Sequence, residues 1–144
     1  MSKFFIKRYY EPDLQLEFTN NLLRLANTSI DISDGLIDDL KKMINRQDFS
    51  FQIFEEKIPV SKTLKQLIMI KKLKKIDITS KGDDYQILFT ASPDKSRIIK
   101  KLSKTRGIKI TKIGKIISGK NRSKIINIKN KQIEAKNKGY IHQF

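Results

Sequence analysis

The sequence contains no cysteine and a single histidine, and this excludes several kinds of functional site. Disulfide bridges, zinc–thiolate centres and thiol nucleophiles all need cysteine, so any chemistry must come from carboxylates, hydroxyls, lysines or a borrowed cofactor. Long apolar runs are also missing. No stretch approaches the roughly 18 apolar residues that would cross a bilayer, and the apolar start at residues 4–6 is too short for a signal peptide. We therefore expect a protein of the cytoplasm that does not enter a membrane.

Acidic residues are nearly absent from the C-terminal third. Residues 95–144 hold 16 Lys and Arg but only Glu134 as an acidic residue, whereas residues 1–94 hold 15 Lys and Arg and 14 Asp and Glu. Almost all of the net charge of +16 therefore lies in the last 50 residues. Such a stretch could neutralise the phosphates of a nucleic acid, a nucleotide or a membrane surface, but it is more typical of a solvated lysine-rich surface. The scarcity of aromatic residues that would stack on bases argues against a nucleic-acid site.

The length of 144 residues fits a single domain, residues 1–144, with one hydrophobic core. Apolar residues recur at helical spacing in some segments and alternate in others, which predicts both helices and strands. Because the two types do not alternate strictly, the pattern indicates an α+β domain rather than a doubly wound sheet. The predicted helices cover residues 13–26, 36–44, 61–71 and 92–107, and the predicted strands cover residues 28–32, 49–53, 85–90 and 108–116, followed by a hairpin at 124–133.

Apolar and polar residues alternate at 49–53, which predicts a half-buried strand, and Ser61 is expected to cap the helix 61–71. The apolar residues of the helix 36–44 are expected to form one stripe: Leu36, Ile37, Leu40, Met43 and Ile44.

Four segments carry further predictions about burial, helix ends and strand phase. The apolar strand 85–90 is expected to be buried on both faces. Residues 72–75 are expected to form the solvated end of the helix 61–71. The strand 108–116 is expected to change phase near Gly114. In the helix 92–107, the apolar residues expected to face the core are Ile98, Ile99 and Leu102.

Two carboxylates and a hydroxyl lie within four residues, where the strand 28–32 meets the next helix. On an extended segment Asp31 and Ser33 project to the same side, and the turn at Asp34 and Gly35 brings a second carboxylate and free backbone amides toward the same space. Oxygen ligands of this kind suit Mg²⁺, which prefers one or two carboxylates together with waters and substrate phosphates. The same residues also suit a helix cap beside a surface aspartate. Spacing alone leaves both interpretations open.

A second acidic turn, Gly82-Asp83-Asp84-Tyr85, leads into the strand 85–90. Adjacent carboxylates repel each other, so a cation, a positively charged ligand or full solvation would explain this pair. The single histidine, His142, has no partner near it in the sequence. We expect it to pack against the protein rather than to catalyse a reaction.

Five segments, taken in order, resemble the family of thiamine-monophosphate kinases. Residues 31–40, DISDGLIDDL, are similar to the family signature DISDGL-x-x-DL, and residues 82–89, GDDYQILF, are similar to its segment GGEDYELLF. Residues 8–12 resemble the Tyr-x-x-Pro entry into this domain, residues 113–116 the late I-G-x-I strand, and residues 139–144 the terminal G-aromatic-x-H-F. The resemblance therefore spans nearly the whole chain.

This resemblance implies both a fold and a reaction. The fold is a three-layer α/β/α domain with a mixed sheet, as in the C-terminal domains of aminoimidazole-ribonucleotide synthetase and selenophosphate synthetase. The reaction transfers the γ-phosphate of ATP to thiamine monophosphate with Mg²⁺ as cofactor. By position in the motifs, Asp31 and Asp34 would bind Mg²⁺, Ser33 would bind ATP, and Asp83 and Tyr140 would bind thiamine monophosphate. Phosphoryl transfer needs mainly positioning and charge neutralisation, which fits clustered carboxylates without an obvious nucleophile.

The sequence also departs from the family pattern. Lys81 replaces the first glycine of the GGE turn, Asp83 and Gln86 replace glutamates, and Gln143 is inserted before Phe144. In addition, the N-terminal domain, which in the family supplies most ATP ligands and the dimer interface, does not lie in these 144 residues. We therefore expect the isolated chain to be inactive and the full-length protein to be a homodimer. Two alternatives stay open: a basic nucleic-acid-binding module and a degenerate fragment without activity.

Overall fold

The computed structural model describes residues 2–12, 18–45, 47–82 and 85–135 of the chain. The helices in these ranges are α1 (Ser2–Tyr10), α2 (Thr19–Leu25), α3 (Leu36–Met43), α4 (Lys62–Lys71), α5 (Lys75–Thr79) and α6 (Ser96–Arg106). The strands are β1 (Thr28–Asp31), β2 (Phe49–Phe54), β3 (Ile87–Thr90), β4 (Gly114–Ser118), β5 (Lys124–Ile126) and β6 (Gln132–Ile133). None of the helices in the described ranges is long and apolar enough to cross a membrane.

β1 and β3 form a two-stranded antiparallel sheet that joins the two acidic motifs. Asp31 pairs with Ile87 at the end of the ladder. Two further bonds extend it, because the Ile32 N–H donates to the Gln86 carbonyl and the Tyr85 N–H donates to the Ile32 carbonyl, both at 2.9 Å. Since the strands run in opposite directions, the end of β1 lies beside the start of β3. The pairing therefore places the first motif next to the second.

The other strands form a second sheet with the order β4-β2-β5-β6. β2 is antiparallel to β4 and parallel to β5, and β5 and β6 form an antiparallel pair. A sheet with both kinds of pairing is mixed, so the predicted α+β class with a mixed sheet is confirmed. The predicted hairpin at residues 124–133 is also confirmed, and Asn127 N–H donates to the Lys131 carbonyl at 3.0 Å in its turn.

The core packs α3 against strands of both sheets. The apolar stripe predicted for α3 is confirmed, since its members Leu36, Leu40 and Met43 are all buried. Ile76, from α5, is completely buried. Removing such side chains from water stabilises a fold by roughly 1.5–3 kcal/mol each. The buried cluster comprises Ile32, Leu36, Ile37, Leu40, Met43, Phe51, Ile53, Ile58, Ile76, Leu88 and Ile125.

The segment after α4 differs from the prediction. α4 begins as expected, with the Ser61 side chain accepting a hydrogen bond from the Leu64 N–H at 3.1 Å. Residues 72–75 are not simply its solvated end, because Lys72 adopts a left-handed conformation and Lys75 begins the separate helix α5. Desolvation of the partly buried Lys75 lowers its pKa. Its ammonium donates to the main-chain carbonyls of Glu55, Glu56 and Ile58.

Two predictions about burial are wrong. Ile98 in α6 is 50% exposed instead of facing the core, and Ile99 and Leu102 are only partly buried. β3 is not buried on both faces, because Leu88 is its single buried residue. Within residues 2–12, 18–45, 47–82 and 85–135, β3 pairs only with β1, so no second strand of these ranges covers it.

One predicted strand starts later than expected. The strand predicted from residue 108 begins only at Gly114, where a Cβ atom would lie 2.2 Å from the Gln52 carbonyl oxygen. Glycine is therefore required where β4 starts to pair with β2. The first predicted helix, residues 13–26, is observed as α2, although residues 13–17 lie outside the described ranges.

Candidate functional site

The candidate site is the corner where β1 ends and α3 begins. Asp31 is the last residue of β1 and its side chain is exposed, while Ser33 and Asp34 are partly buried. Gly35 lies at the start of α3 with φ at +119°, a conformation that side chains rarely adopt. The structure therefore gathers the three predicted residues Asp31, Ser33 and Asp34 in one short turn at the surface.

A buried carboxylate, Asp39, holds this turn in place. Its side chain is 1% exposed, and one oxygen, Oδ2, accepts hydrogen bonds from the backbone N–H groups of Ser33 (2.9 Å), Asp34 (2.9 Å) and Gly35 (3.1 Å). Hydrogen bonds to a charged group typically contribute about 1.5–3 kcal/mol each. The three bonds fix the backbone from which the Ser33 and Asp34 side chains project. Asp39 is thus a positioning residue of the candidate site.

Lys42 connects Asp39 to Asp34. Its ammonium lies 2.9 Å from Asp39 Oδ1 and forms an ion pair with Asp34 Oδ2. The hydrogen bonds to Asp34 and then to Asp39 raise the pKa of Lys42 to about 12. Lys42 is therefore fully charged at neutral pH, and the two carboxylates share one cation.

The second motif packs directly against the first. Gly82 has φ at +89°, and a Cβ atom there would lie 2.3 Å from the Ser33 carbonyl oxygen. A Cβ atom at Gly35 would likewise lie 2.5 Å from the Ser80 carbonyl oxygen. Both distances are far below van der Waals contact. Only glycine, which has no Cβ atom, therefore allows the two backbones to approach this closely.

Ser80, whose carbonyl oxygen faces Gly35, directly follows α5. It is 2% exposed, and its hydroxyl has no hydrogen-bond partner among the described residues. Buried hydroxyls are ordinarily satisfied by protein or by an ordered water. The Ser80 hydroxyl therefore retains capacity for a further hydrogen bond.

The remaining predicted ligands fall outside the described ranges. These are Asp83 and Tyr140, together with the histidine at position 142. Within the described residues, no group of three or more acidic, histidine or cysteine side chains is placed to hold a metal ion. Asp31 and Asp34 are the acidic residues that the β1–α3 corner contributes, and carboxylate oxygens are the ligands that Mg²⁺ prefers.

Sequence reasoning missed the role of Asp39 and Lys42. The sequence contains a signal for both residues. Asp39 is three residues after Leu36 and four before Met43, so it lies on the same helical face as the apolar stripe. An acidic residue on an apolar face needs partners, and the nearest unpaired donors are the amides at the helix start. Lys42 follows Asp39 by three residues, the spacing at which helical side chains meet.

Thiamine-monophosphate kinases from several bacteria are similar to this chain. The enzyme of Buchnera aphidicola subsp. Schizaphis graminum is 32% identical over 139 residues, which cover 96% of this chain and 42% of that protein. The enzyme of Aquifex aeolicus is 35% identical over 88 residues, which cover 59% of this chain and 28% of that protein. The chain therefore spans less than half the length of these curated relatives.

Solved structures of the same kind share the fold. The crystal structure of thiamine-monophosphate kinase from Stenotrophomonas maltophilia K279a superposes with a TM-score of 0.71 at 25% identity, over 83% of this chain and 37% of that one. AaThiL complexed with AMPPCP and TMP superposes with a TM-score of 0.69 at 26% identity, over 94% of this chain and 40% of that one. The fold that the resemblance implied is thus confirmed.

A family model described as AIR synthase related protein, C-terminal domain, matches residues 10–126. This range contains the β1–α3 corner, strand β3 and the mixed sheet as far as β5. Because the match covers most of the sequence, the chain belongs to the family of AIR synthase related proteins, whose C-terminal domain it represents.

Proposed function

We propose that this chain provides the C-terminal half of a thiamine-monophosphate kinase, which transfers the γ-phosphate of ATP to thiamine monophosphate and yields thiamine diphosphate and ADP. The bond between the γ-phosphorus and the oxygen bridging to the β-phosphate breaks, and an oxygen of the acceptor phosphate forms the new bond. Support comes from the similarity to these kinases along the chain and from the related structure complexed with AMPPCP and TMP. Direct transfer requires no covalent intermediate on the protein.

In this proposal, the β1–α3 corner binds the metal and the nucleotide. Asp31 and Asp34 hold Mg²⁺, and Ser33 contacts ATP. The donor set fits this ion, because two oxygen ligands on one turn leave room for waters and phosphate oxygens. When bound, Mg²⁺ neutralises negative charge on the phosphates. Asp39 orients the turn through its three backbone hydrogen bonds.

The observation that carries the proposal is the contact between the two motif loops. Gly82 lies against the Ser33 backbone, and Asp83 is the next residue in the chain. We assign Asp83 and Tyr140 to thiamine monophosphate, whose cationic planar rings suit a carboxylate and an aromatic ring. The close approach supports a single site in which the acceptor phosphate lies near the nucleotide and its metal.

The rest of the catalytic machinery would come from elsewhere. The relatives compared above are more than twice as long as this chain. We assign residues 1–144 to a single C-terminal domain, and the missing ATP ligands to an N-terminal kinase domain outside these residues. The complete enzyme would then be a cytoplasmic homodimer, and the isolated chain would be inactive.

A chimeric enzyme tests this proposal. Residues 8–144 would replace the corresponding C-terminal part of the Aquifex aeolicus kinase, and thiamine diphosphate formation would be followed by chromatography alongside ADP release. We expect turnover by the chimera, none by the isolated chain, and a loss of at least about 100-fold in kcat for Asp31→Asn, because a ligand of the metal is removed.

Asp38→Asn is the matched control for this experiment. It also removes one carboxylate, but Asp38 pairs with Lys41 at 2.9 Å on the exposed side of α3, so kcat should stay within about twofold. A folded but inactive chimera would contradict the kinase assignment. Full activity of Asp31→Asn would contradict the metal assignment, and turnover by the chain alone would contradict its dependence on a second domain.

A further inference from the structure

One cation already occupies the carboxylate of a proposed metal ligand. The Lys42 ammonium, from the last turn of α3, pairs with Asp34 Oδ2 and lies 2.9 Å from Asp39 Oδ1. The Lys42 side chain is 49% exposed and the Asp34 side chain 23% exposed. The ammonium neutralises the Asp34 carboxylate, to which a divalent cation would also bind, so the two cations compete for the same group.

The two contacts of Lys42 differ in how easily they can open. Asp39 is fixed, because it is buried and its other oxygen accepts three backbone hydrogen bonds. Asp34 lies on the turn with a partly exposed side chain, and a rotation about its side-chain bonds releases it without breaking any of those backbone bonds. The Lys42–Asp34 contact is therefore the one that can open while Lys42 stays bound to Asp39.

From this arrangement we infer that Lys42 is a positioning residue that holds the Asp34 carboxylate against α3 in the metal-free chain, and that a divalent cation must displace it. The inference rests on the proposed function, in which Asp34 is a metal ligand. On displacement the ammonium stays next to Asp39, close to the corner where nucleotide phosphates would bind. Lys42 thus keeps the acidic turn paired until metal arrives.

Neutralising Lys42 should raise the affinity of the corner for divalent cations. Removing the ammonium abolishes the competitor and leaves the turn more negative, so divalent cations should bind more tightly. An exposed ion pair of ordinary strength corresponds to a gain of roughly three- to fivefold in affinity. A lysine that instead pre-formed the metal site would have the opposite effect, because its removal would weaken binding.

Binding of Mn²⁺ to the 144-residue chain, measured from the electron paramagnetic resonance signal of the free ion, tests this claim. The variants are Lys42→Gln, Lys42→Met, Asp34→Asn and the double variant Asp34→Asn/Lys42→Gln. Lys41→Gln is the control, because it removes an equal charge from the neighbouring residue, and Lys41 pairs with Asp38 instead of Asp34. Circular dichroism establishes that each variant is folded.

We expect both Lys42 variants to bind Mn²⁺ more tightly than Lys41→Gln does, and the gain to vanish in the Asp34→Asn background. Mn²⁺ binding that appears only after Lys42 is neutralised would also support the inference. Equal or weaker binding by the Lys42 variants, with Asp34→Asn still harmful, would overturn the inference alone. No effect of Asp34→Asn in any background would overturn the metal assignment itself, and the inference with it.

Discussion

Asp38 and Asp39 are neighbours in the first turn of α3, yet their environments are opposite. Asp38 is partly exposed and pairs with Lys41 in a surface contact of the kind that contributes little to stability. Asp39 is almost fully buried and accepts three backbone hydrogen bonds in addition to its contact with Lys42. A charge removed from water in this way is tolerated only because each of its oxygens is paired. The geometry of the turn therefore depends on Asp39.

Replacing Asp39 should cost far more stability than replacing its neighbour. We expect Asp39→Asn to lower the free energy of unfolding by about 2 kcal/mol, because the amide oxygen is a weaker acceptor and the amide nitrogen would face the Lys42 ammonium. Asp38→Asn should change it by less than about 0.5 kcal/mol. Urea unfolding followed by circular dichroism measures both values. Similar losses for the two variants would show that Asp39 does not anchor the turn.

At the level of elements, the site is made by two segments about 50 residues apart in the sequence. The β1–β3 ladder brings their strands together, and the glycines at positions 35 and 82 allow the flanking loops to touch. In both places the backbone has a positive φ and a Cβ atom would collide with a carbonyl oxygen. Shape at these two points, rather than any side chain, joins the motifs.

Gly82→Ala should therefore destabilise the protein more than an alanine at another left-handed glycine. Gly107 is the matched control: its φ is +66°, and a Cβ atom there meets nothing within 4 Å. Gly107→Ala should cost only the strain of the left-handed conformation, about 1–2 kcal/mol, whereas Gly82→Ala adds the displacement of the Ser33 backbone. Thermal unfolding of both variants measures the difference. Equal losses would mean that the loops do not need this close approach.

Local patterns in the sequence predicted elements where local chemistry decides the structure. The apolar stripe of α3 and the Ser61 cap of α4 are examples. The strand β2 also forms where it was predicted, but its expected alternation is wrong at the first two residues: Phe49 is exposed, and Ser50 is buried with its hydroxyl donating to the Gly119 carbonyl. The prediction failed where a distant partner decides, as for the exposure of β3, which depends on how many strands flank it. In the site, the motif located Asp31, Ser33 and Asp34, but the bonds of Asp39 and Lys42 depend on how the turn folds back on α3.

At the level of the whole molecule, charge is divided between two regions. The ion pairs of the described residues involve lysines in the first 42 positions, while the exposed lysines and arginines of residues 95–135 make none there. That basic region also contains no aromatic residue. Unpaired positive charge without stacking side chains attracts polyanions through counterion release alone, which added salt removes.

We therefore expect the chain to bind a random single-stranded oligonucleotide only at low ionic strength. In fluorescence anisotropy, binding seen at about 20 mM salt should be lost by about 150 mM, because no base contact supports it once the phosphate contacts are screened. Inorganic polyphosphate should compete with the oligonucleotide at equal charge, since phosphates are all that the surface recognises. Binding that persists at 150 mM salt and resists polyphosphate would contradict this expectation, and would favour a nucleic-acid-binding module over a basic surface that surrounds a kinase site.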